Sequence, residues 1–389
     1  MKLMFSFGTP VTCENFYNRK KEVNFLLNRI FAIKKKARND VAVIGSRRVG
    51  KSSLILEVKE KIIQKNMVCA FIDCEGLDFT SFVQEFNTAV LSPIINKKIK
   101  IKLREMLKEG ARNFVAVFSE VFGRVKGIEL SSPKLLEVLK LRIEFEKEAS
   151  GKKKEFESLA LLKSTLSLAE DTGNFVIFFD EFQDTIKYKI NDTEFLAVLR
   201  RLIQYQKKCV FVYTGSSIGM MKDIFSNTDS PFAGNADILY VLPFSKETST
   251  KFLKQGFKNY GTNVEPKVLE ILVKASGGYP AYLNWMGLRC IDISKKKITI
   301  QIAKKIKDEM FSPMSPLKQM IEKQLSKLGT KTRLALKAIA VGYNTPSEIS
   351  DFAQLSNVYV YLNRLQKYGI IEKKNNKYYI LDPLMFKSF

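Results

Sequence analysis

An α/β fold built around a parallel sheet is what this sequence predicts, and three features predict it. Strand-length apolar runs alternate with helical segments over the first 244 residues, as in successive βα units. One run, Phe175–Asp180 (FVIFFD), is apolar without interruption up to its last residue, as expected of a strand covered on both faces. A glycine-containing turn, Gly45–Ser52, joins the first run to the first helix.

In chain order, Asp40–Gly45 (DVAVIG) is the first strand, and Lys51 to about Gln64 the first helix. Val68–Asp73 (VCAFID) and Phe79–Leu91 follow as strand and helix. Residues 96–171 form a long basic insertion. Within it, Lys100–Phe122 and Pro133–Ser150 have helical apolar spacing, and Gly151–Glu157 (GKKKEFE) reads as a solvated turn or a broken helix. Phe175–Asp180 is the third strand, Phe195–Tyr205 a helix, Cys209–Gly215 (CVFVYTG) the fourth strand and Ile238–Leu242 (ILYVL) the fifth. After Phe244 the pattern is helical to about Leu325. Arg333–Val341, Pro346–Ala353 and Ser356–Tyr368 then read as three helices, and Ile370–Leu381 as a hairpin around a Lys-Asn-Asn turn. Those are the parts of a winged helix-turn-helix. The expected organisation is residues 1–244 as the sheet core, 245–326 as a helical lid and 327–389 as a winged helix domain.

Residues Gly45-Ser46-Arg47-Arg48-Val49-Gly50-Lys51-Ser52 fit G-x-x-x-x-G-K-[ST] between a strand and a helix, the context a P-loop needs. Glycines let the backbone bend around phosphates while successive N–H groups point inward, and the helix N-terminus adds partial positive charge. The fold class is therefore that of a P-loop NTPase. Lys51 is expected to reach the β and γ phosphates of ATP and Ser52 to ligate Mg²⁺. The candidate ATP-binding set runs from Gly45, Ser46, Arg47, Arg48, Val49 and Gly50 to Lys51, Ser52 and Ser53.

At the end of the third strand stand Asp180 and Glu181. Asp180 is expected to hold Mg²⁺ through a water, and Glu181 to orient and deprotonate the attacking water. The acidic pair favours an ATPase over a GTPase, and no Asn-Lys-x-Asp guanine-reading motif is present. The fourth strand ends Thr214-Gly215-Ser216-Ser217, where Thr214 or Ser216 either senses the γ-phosphate or caps a helix. Gly277-Gly278-Tyr279-Pro280 either breaks a helix or sets a helix start against the nucleotide.

Composition narrows the chemistry. The chain has no histidine, which removes Ser-His-Asp and Cys-His catalysis, so acid–base work falls to carboxylates, Lys or Tyr. Its five cysteines form no C-x-x-C pair, and Cys69 and Cys209 lie in strand-like runs as core residues. Net charge is +24, from 64 basic and 40 acidic residues. That excess fits either a polyanionic partner or a general compositional bias toward Lys, Ile, Asn and Phe. No run of 18 apolar residues suggests a membrane span, and the first residues make a poor signal peptide, so a cytoplasmic protein is expected.

Together these motifs resemble the archaeal ATPase family within the AAA+-like and STAND-type P-loop proteins, over nearly the whole chain. Phe16-Tyr17-Asn18-Arg19-Lys20-Lys21-Glu22 is similar to the family's opening F-x-x-R-x-x-E. The P-loop, Phe179-Asp180-Glu181-Phe182-Gln183 and Thr214-Gly215-Ser216-Ser217-Ile218-Gly219-Met220 continue the match. Gly277, Gly278, Pro280, Tyr282 and Leu283 fit Gly-Gly-x-Pro-x-Tyr-Leu, and Tyr379–Leu384 resembles the closing wing. The resemblance implies a five-stranded core, a lid and a winged helix, and makes Pro280 a lid contact near the nucleotide. One position departs: where family members often carry Gly-Arg before the fifth strand, a candidate arginine finger, this chain has Gly234-Asn235. Arg200 and Arg201 are substitutes, or simply a solvated helix face.

Three functions compete on this basis. The first is a slow, switch-like ATPase whose nucleotide state sets the lid and winged-helix arrangement. The second is a replication-initiator-like protein binding double-stranded DNA, and the third a nucleotide-gated module binding a protein partner. The expected recognition helix, from Ser356, has two cations only, but Asn357 and Tyr359 can reach phosphates or base edges. Lys373, Lys374 and Lys377 fall on the wing, and the unit from Thr330 onward has nine basic and four acidic residues.

Overall fold

A computed structural model describes residues 4–94, 152–190 and 193–387. Strands β1 (Val41–Ile44), β2 (Val68–Asp73) and β3 (Phe175–Asp180) are followed by a small antiparallel pair, β4 (Lys189–Ile190) and β5 (Thr193–Glu194), then by β6 (Cys209–Gly215) and β7 (Asp237–Tyr240). The central sheet has the order β2-β3-β6-β1-β7, and every pairing in it is parallel. The predicted five strands are thus present, with the fifth ending two residues earlier than its apolar run.

Side chains alternate along each strand and sort the core into two faces. Val41, Val43, Val176, Phe178, Val210 and Val212 share one core with Leu26 of α1 (Lys20–Phe31) and Leu54 and Val58 of α2 (Lys51–Ile63). Ala42, Ile44, Phe175, Ile177, Phe179, Phe211 and Tyr213 face the other way. They meet α3 (Phe79–Ile94), α4 (Lys152–Thr172), α5 (Phe195–Ile203) and α6 (Ile218–Phe225). Phe179 is the hub of that face, with ring centroids of Tyr213 at 5.6 Å, Phe182 at 5.5 Å and Phe82 at 6.1 Å. Cys69 and Cys209 are buried, as their runs predict.

The helix α4 corrects the expectation of a turn or broken helix at Gly151–Glu157. Helix begins at Lys152 and continues through Thr172. Lys and Glu are good helix formers, and the stripe Leu161, Leu162, Leu166 and Ala169 that follows is buried in one core with α3 and the sheet. Asn87 Nδ2 donates to Thr165 Oγ1 at 2.9 Å inside that contact. The helices expected over Lys100–Phe122 and Pro133–Ser150 lie outside the described residues.

Beyond the sheet come α7 (Lys246–Asn259), β8 (Asn263–Val264), α8 (Pro266–Ser276), α9 (Pro280–Ile293), β9 (Lys297–Ile298), α10 (Ile300–Phe311) and α11 (Pro316–Ser326). The sequence predicts helices alone here. Instead the α7–α8 and α9–α10 connections run side by side and pair as two-residue parallel strands, with Thr262 Oγ1 donating to the Lys295 carbonyl at 2.8 Å. Then follow α12 (Thr330–Ala340), α13 (Pro346–Ala353), α14 (Val358–Lys367), β10 (Ile371–Lys374), β11 (Lys377–Ile380) and α15 (Pro383–Phe386). The three helices and the hairpin read from the sequence are therefore in place. Thr345 and Glu348 form a capping box that starts α13. Asn375 and Asn376, at φ of 48° and 59°, make the tight hairpin turn that needs two left-handed residues.

These last helices do not form an isolated unit. Leu272, Ile306, Leu336, Leu362 and Tyr378 belong to the same apolar core as Val41 and Val43 of the sheet. Gly219, at the start of α6, lies so close to the end of α14 that a Cβ would sit 2.5 Å from Lys367 Cα.

The Gly-Gly pair at 277–278 has a steric reason. Gly277 ends α8 in the left-handed region and lies under the Pro383 ring. Gly278, at φ of 78°, accepts a hydrogen bond from Phe244 N at 2.8 Å, and a Cβ there would stand 2.2 Å from the Phe244 carbonyl oxygen. Gly278→Ala is expected to cost well over about 1 kcal/mol of stability, because both φ and space forbid the methyl. Gly329→Ala, with open space at its Cβ, is the control. Equal urea midpoints for the two variants would refute this account.

Candidate nucleotide-binding site

The parallel sheet leaves its charged residues at the ends of the strands, and at the carboxyl ends the predicted residues meet. Register places Val43 beside Thr214, Ile44 beside Gly215, and Asp73 beside Asp180. The loop from Gly45 therefore leaves the sheet between Asp180 and Thr214 on one side and the β7 end on the other. The arrangement matches the rule that ligands of open parallel sheets bind outside the carboxyl ends of the strands.

The loop itself is held from behind. Arg19, buried, donates through Nη2 to the Val49 carbonyl at 3.0 Å and to the Leu242 carbonyl, and through Nη1 to Glu22 at 3.0 Å. Arg19 and Glu22 are the charged residues of the opening F-x-x-R-x-x-E, so that motif serves as a bolt between the loop and the end of β7. Gly50 takes φ of 95°, and Arg48 the left-handed region at 69°, which curls the backbone before α2. The first N–H groups of α2 have no intrahelical acceptor and face the loop's mouth. Lys51 is buried, and its ammonium donates to the carbonyls of Gly45 at 2.9 Å and Ser46 at 3.2 Å. Burial pulls its pKa down, opposed by the charges of Glu181 and Asp180. The Ser53 hydroxyl accepts from Val11 N at 3.1 Å and so secures the N-terminal segment.

The acidic residues meet these groups. Ser52 Oγ donates to Asp180 Oδ2 at 3.3 Å, and the Thr214 hydroxyl donates to Asp180 Oδ1. Glu181, itself left-handed at φ of 49°, accepts from Ser216 N at 3.1 Å, Ser216 Oγ at 2.6 Å and Gln183 Nε2 at 2.6 Å. Burial pushes the Glu181 carboxyl up, but Lys51, the bonds from Ser216 and Gln183, and nearby Arg47 together hold it below its ordinary range. Asp73 stands alongside; burial, with the charges of Asp180, Glu75 and Glu181, pushes its carboxyl up. Arg47 offsets this negative charge, donating to Glu75 at 2.8 Å and to Ser216 Oγ at 3.4 Å.

The start of α9 and the last unit reach the loop directly. Tyr279, ahead of Pro280 at the first position of α9, shares a 3.2 Å hydrogen bond with Ser46 Oγ and donates to the Leu381 carbonyl at 3.2 Å. Tyr282 OH donates to Asp382 Oδ2 at 2.6 Å, and Arg48 Nη1 lies 3.5 Å from the same oxygen and 3.3 Å from Tyr282 OH. All three side chains are buried or nearly so. Asp382 Oδ1 meanwhile caps α15 by accepting from Leu384 N at 2.9 Å. Sequence reading singled out neither Asp73 nor Asp382 and gave Gln183 no role. The Asp-Pro step closing the wing was the one available signal for Asp382.

Elsewhere the expectations separate. Asn235, at the departed Gly-Arg position, turns Nδ2 inward onto the carbonyls of Pro231 and Ala233. Arg200 and Asn235 line a cavity of about 510 Å³ with Lys36, Arg38, Asp40 and Lys208, at the amino ends of the strands and away from the P-loop. Arg200 is thus not brought to this chain's own site. No helix among the described residues is long and apolar enough to cross a membrane.

Comparisons with known proteins agree with this geometry. A family model described as an ATPase domain predominantly from Archaea matches residues 16–286. Among solved structures, a Walker-type ATPase of Pyrococcus abyssi aligns with a TM-score of 0.69 at 23% identity, over 99% of this chain and 99% of that one. The ORC2 protein of Aeropyrum pernix, in ADPNP-ADP complexes, aligns with a TM-score of 0.56 at 13% identity, over 96% of this chain and 93% of that one. At such identities the likeness is one of fold, and it extends through the lid and the last unit. A comparison with curated proteins gave no match.

Lys51→Ala is expected to abolish tight ATP binding, since it removes the buried positive charge in the loop. Calorimetry showing undiminished affinity would end the P-loop assignment.

Proposed function

The chain belongs to the family of ATPase domains found predominantly in Archaea, and on that premise we propose that it is a slow regulatory ATPase, AAA+-like or STAND-like, whose nucleotide state is coupled to its C-terminal winged helix. The observation that carries the coupling is the buried Arg48–Asp382–Tyr282 cluster, which joins the P-loop, the lid and the start of α15 at distances of 2.6 to 3.5 Å.

Hydrolysis follows from the named groups. Lys51 and the loop N–H groups bind the β and γ phosphates. Ser52 and Asp180 supply a hydroxyl and a carboxylate oxygen 3.3 Å apart, hard donors that suit Mg²⁺. When bound, Mg²⁺ neutralises charge on the β and γ phosphates. Glu181 orients a water and takes its proton as the water oxygen bonds to the γ-phosphorus. The bridging P–O bond breaks with its electron pair leaving on ADP, and inorganic phosphate is the second product. A slow rate follows from Asn235 standing where family members often carry a candidate arginine finger, since such fingers contribute about 10³–10⁵ in rate. Glu181→Gln should keep ATP binding and cut turnover to a small residual rate; hydrolysis at the wild-type rate would exclude Glu181 as the base.

Coupling rests on the cost of separating buried charges. A nucleotide that reshapes the loop at Ser46–Arg48 moves Arg48 relative to Asp382, and leaving either charge buried without its partner costs about 3–5 kcal/mol. Hydrogen exchange over 330–387 should therefore differ between ATP and ADP, and Tyr282→Phe should blunt the difference. Identical protection in both nucleotides would rule out the coupling.

For the winged helix we favour double-stranded DNA over a protein partner. At the amino-terminal end of α14, Asn357, Tyr359 and Val360 are open to solvent, as are Asn363, Arg364 and Lys367 further along, and the amino-terminal end of a recognition helix meets base edges. Lys373 and Lys377 stand exposed on the hairpin, and Lys374 beside them pairs with Glu372. Replacing all three lysines by Ala should weaken binding to any duplex about equally. The slope of log affinity against log salt should fall by about 0.9 per lost contact. Wild-type protein with no salt-dependent DNA binding in either nucleotide state would turn the assignment to a protein partner.

A further inference from the structure

Gln183 is buried, at 2% exposure, two residues after the residue assigned as the general base. The chain leaves β3 at Asp180, passes through the left-handed Glu181 and enters a 3-10 turn over Phe182–Lys187. Phe182 fixes that turn, with its ring 4.6 Å from that of Tyr213. The turn carries Gln183 back beneath Glu181, where its Nε2 donates to Glu181 Oε2 at 2.6 Å. Ser216 N and Oγ donate to the same oxygen, so three donors converge on Oε2, and Oε1 accepts none among the described residues. Gln183 Oε1 is buried without a partner, beside Gly215, where a Cβ would stand 2.4 Å away. Gly215 therefore has to lack a side chain for Gln183 to sit as it does.

A buried amide with one end unsatisfied is costly, and packing alone would be served better by an apolar side chain. The donor end accounts for its presence. We propose that Gln183 is a positioning residue for hydrolysis. With Ser216 it clamps Oε2 of Glu181, fixing the carboxylate plane so that Oε1 is the oxygen that takes the proton of the attacking water. The inference rests on Glu181 being the base. It also gives Ser216 a task at the base rather than at the γ-phosphate, with Arg47 donating to the Ser216 hydroxyl from behind.

The test is steady-state ATP hydrolysis with full-length protein, together with ATP and ADP affinities by calorimetry. Gln183→Leu removes the donor and keeps the volume; Gln183→Met, unbranched, serves if the leucine variant does not fold. Either is expected to lower kcat by up to about 10²-fold, the scale of a misplaced catalytic group, with KM and both affinities unchanged. Because Gln183 acts through Glu181, adding Gln183→Leu to Glu181→Gln should lower the residual rate no further. A wild-type kcat, a raised kcat, a loss confined to KM, or multiplicative losses in the double variant would each overturn the assignment. Glu181→Gln turning over normally would overturn the base itself, whereas an inactive Glu181→Gln beside a fully active Gln183→Leu would overturn only the clamp.

Discussion

A parallel sheet covered on both faces has no interior place for an unpaired charge, and this constraint organises the whole molecule. From Phe175 to Phe179 every residue of β3 is fully buried, and β6 is buried throughout. Charge can appear only where the strands run out. Asp73, Asp180 and Glu181 stand there, and the P-loop begins one residue after β1 at the same edge. The site is the polar terminus of an apolar slab, and its groups are crowded because the strands are about 4.8 Å apart.

Crowding sets the electrostatics. Asp180, Glu181 and Asp73 would repel one another without the positive charge that faces them. Lys51 and Arg47 supply it, and hydrogen bonds from Ser52, Thr214, Ser216 and Gln183 occupy the carboxylate oxygens. Lys51 is correspondingly pulled down by burial and held up by the same carboxylates. A phosphate chain entering this edge meets a balanced set of charges, in which any added negative charge must redistribute the partners of Lys51 and the loop N–H groups.

The other consequence concerns reach. One face of the sheet continues as a single apolar core through the lid into the last helices, so the last unit cannot shift without disturbing the P-loop side of the sheet. Asp382 sits at that junction with one oxygen on the N-terminus of α15 and the other on Tyr282 and Arg48. A single carboxylate thus joins the last helix to the loop, whereas on the opposite face Phe82, Phe86 and Phe179 pack ring on ring.

The sequence by itself determined the five strands, the P-loop, the acidic pair after β3 and the helices and hairpin at the end. Each depends on short-range rules: alternation, unbroken apolar runs, glycine where φ is positive, a capping Thr with Glu three residues on. It misjudged Gly151–Glu157, because lysine-rich segments look solvated until the buried stripe after Ser158 is known to lie on α3. It gave no sign of the paired two-residue strands in the lid, which exist only because two connections happen to run side by side. The bolt at Arg19, the clamp of Gln183 and Ser216 on Glu181, and the meeting of Arg48 with Asp382 were decided by tertiary structure alone. Their partners are 30 to more than 300 positions apart, or turned toward each other by a left-handed residue such as Glu181. Local propensity fixes the element a side chain stands on, but the charge it meets is set by how layers close over the sheet, and burial then makes that pairing obligatory.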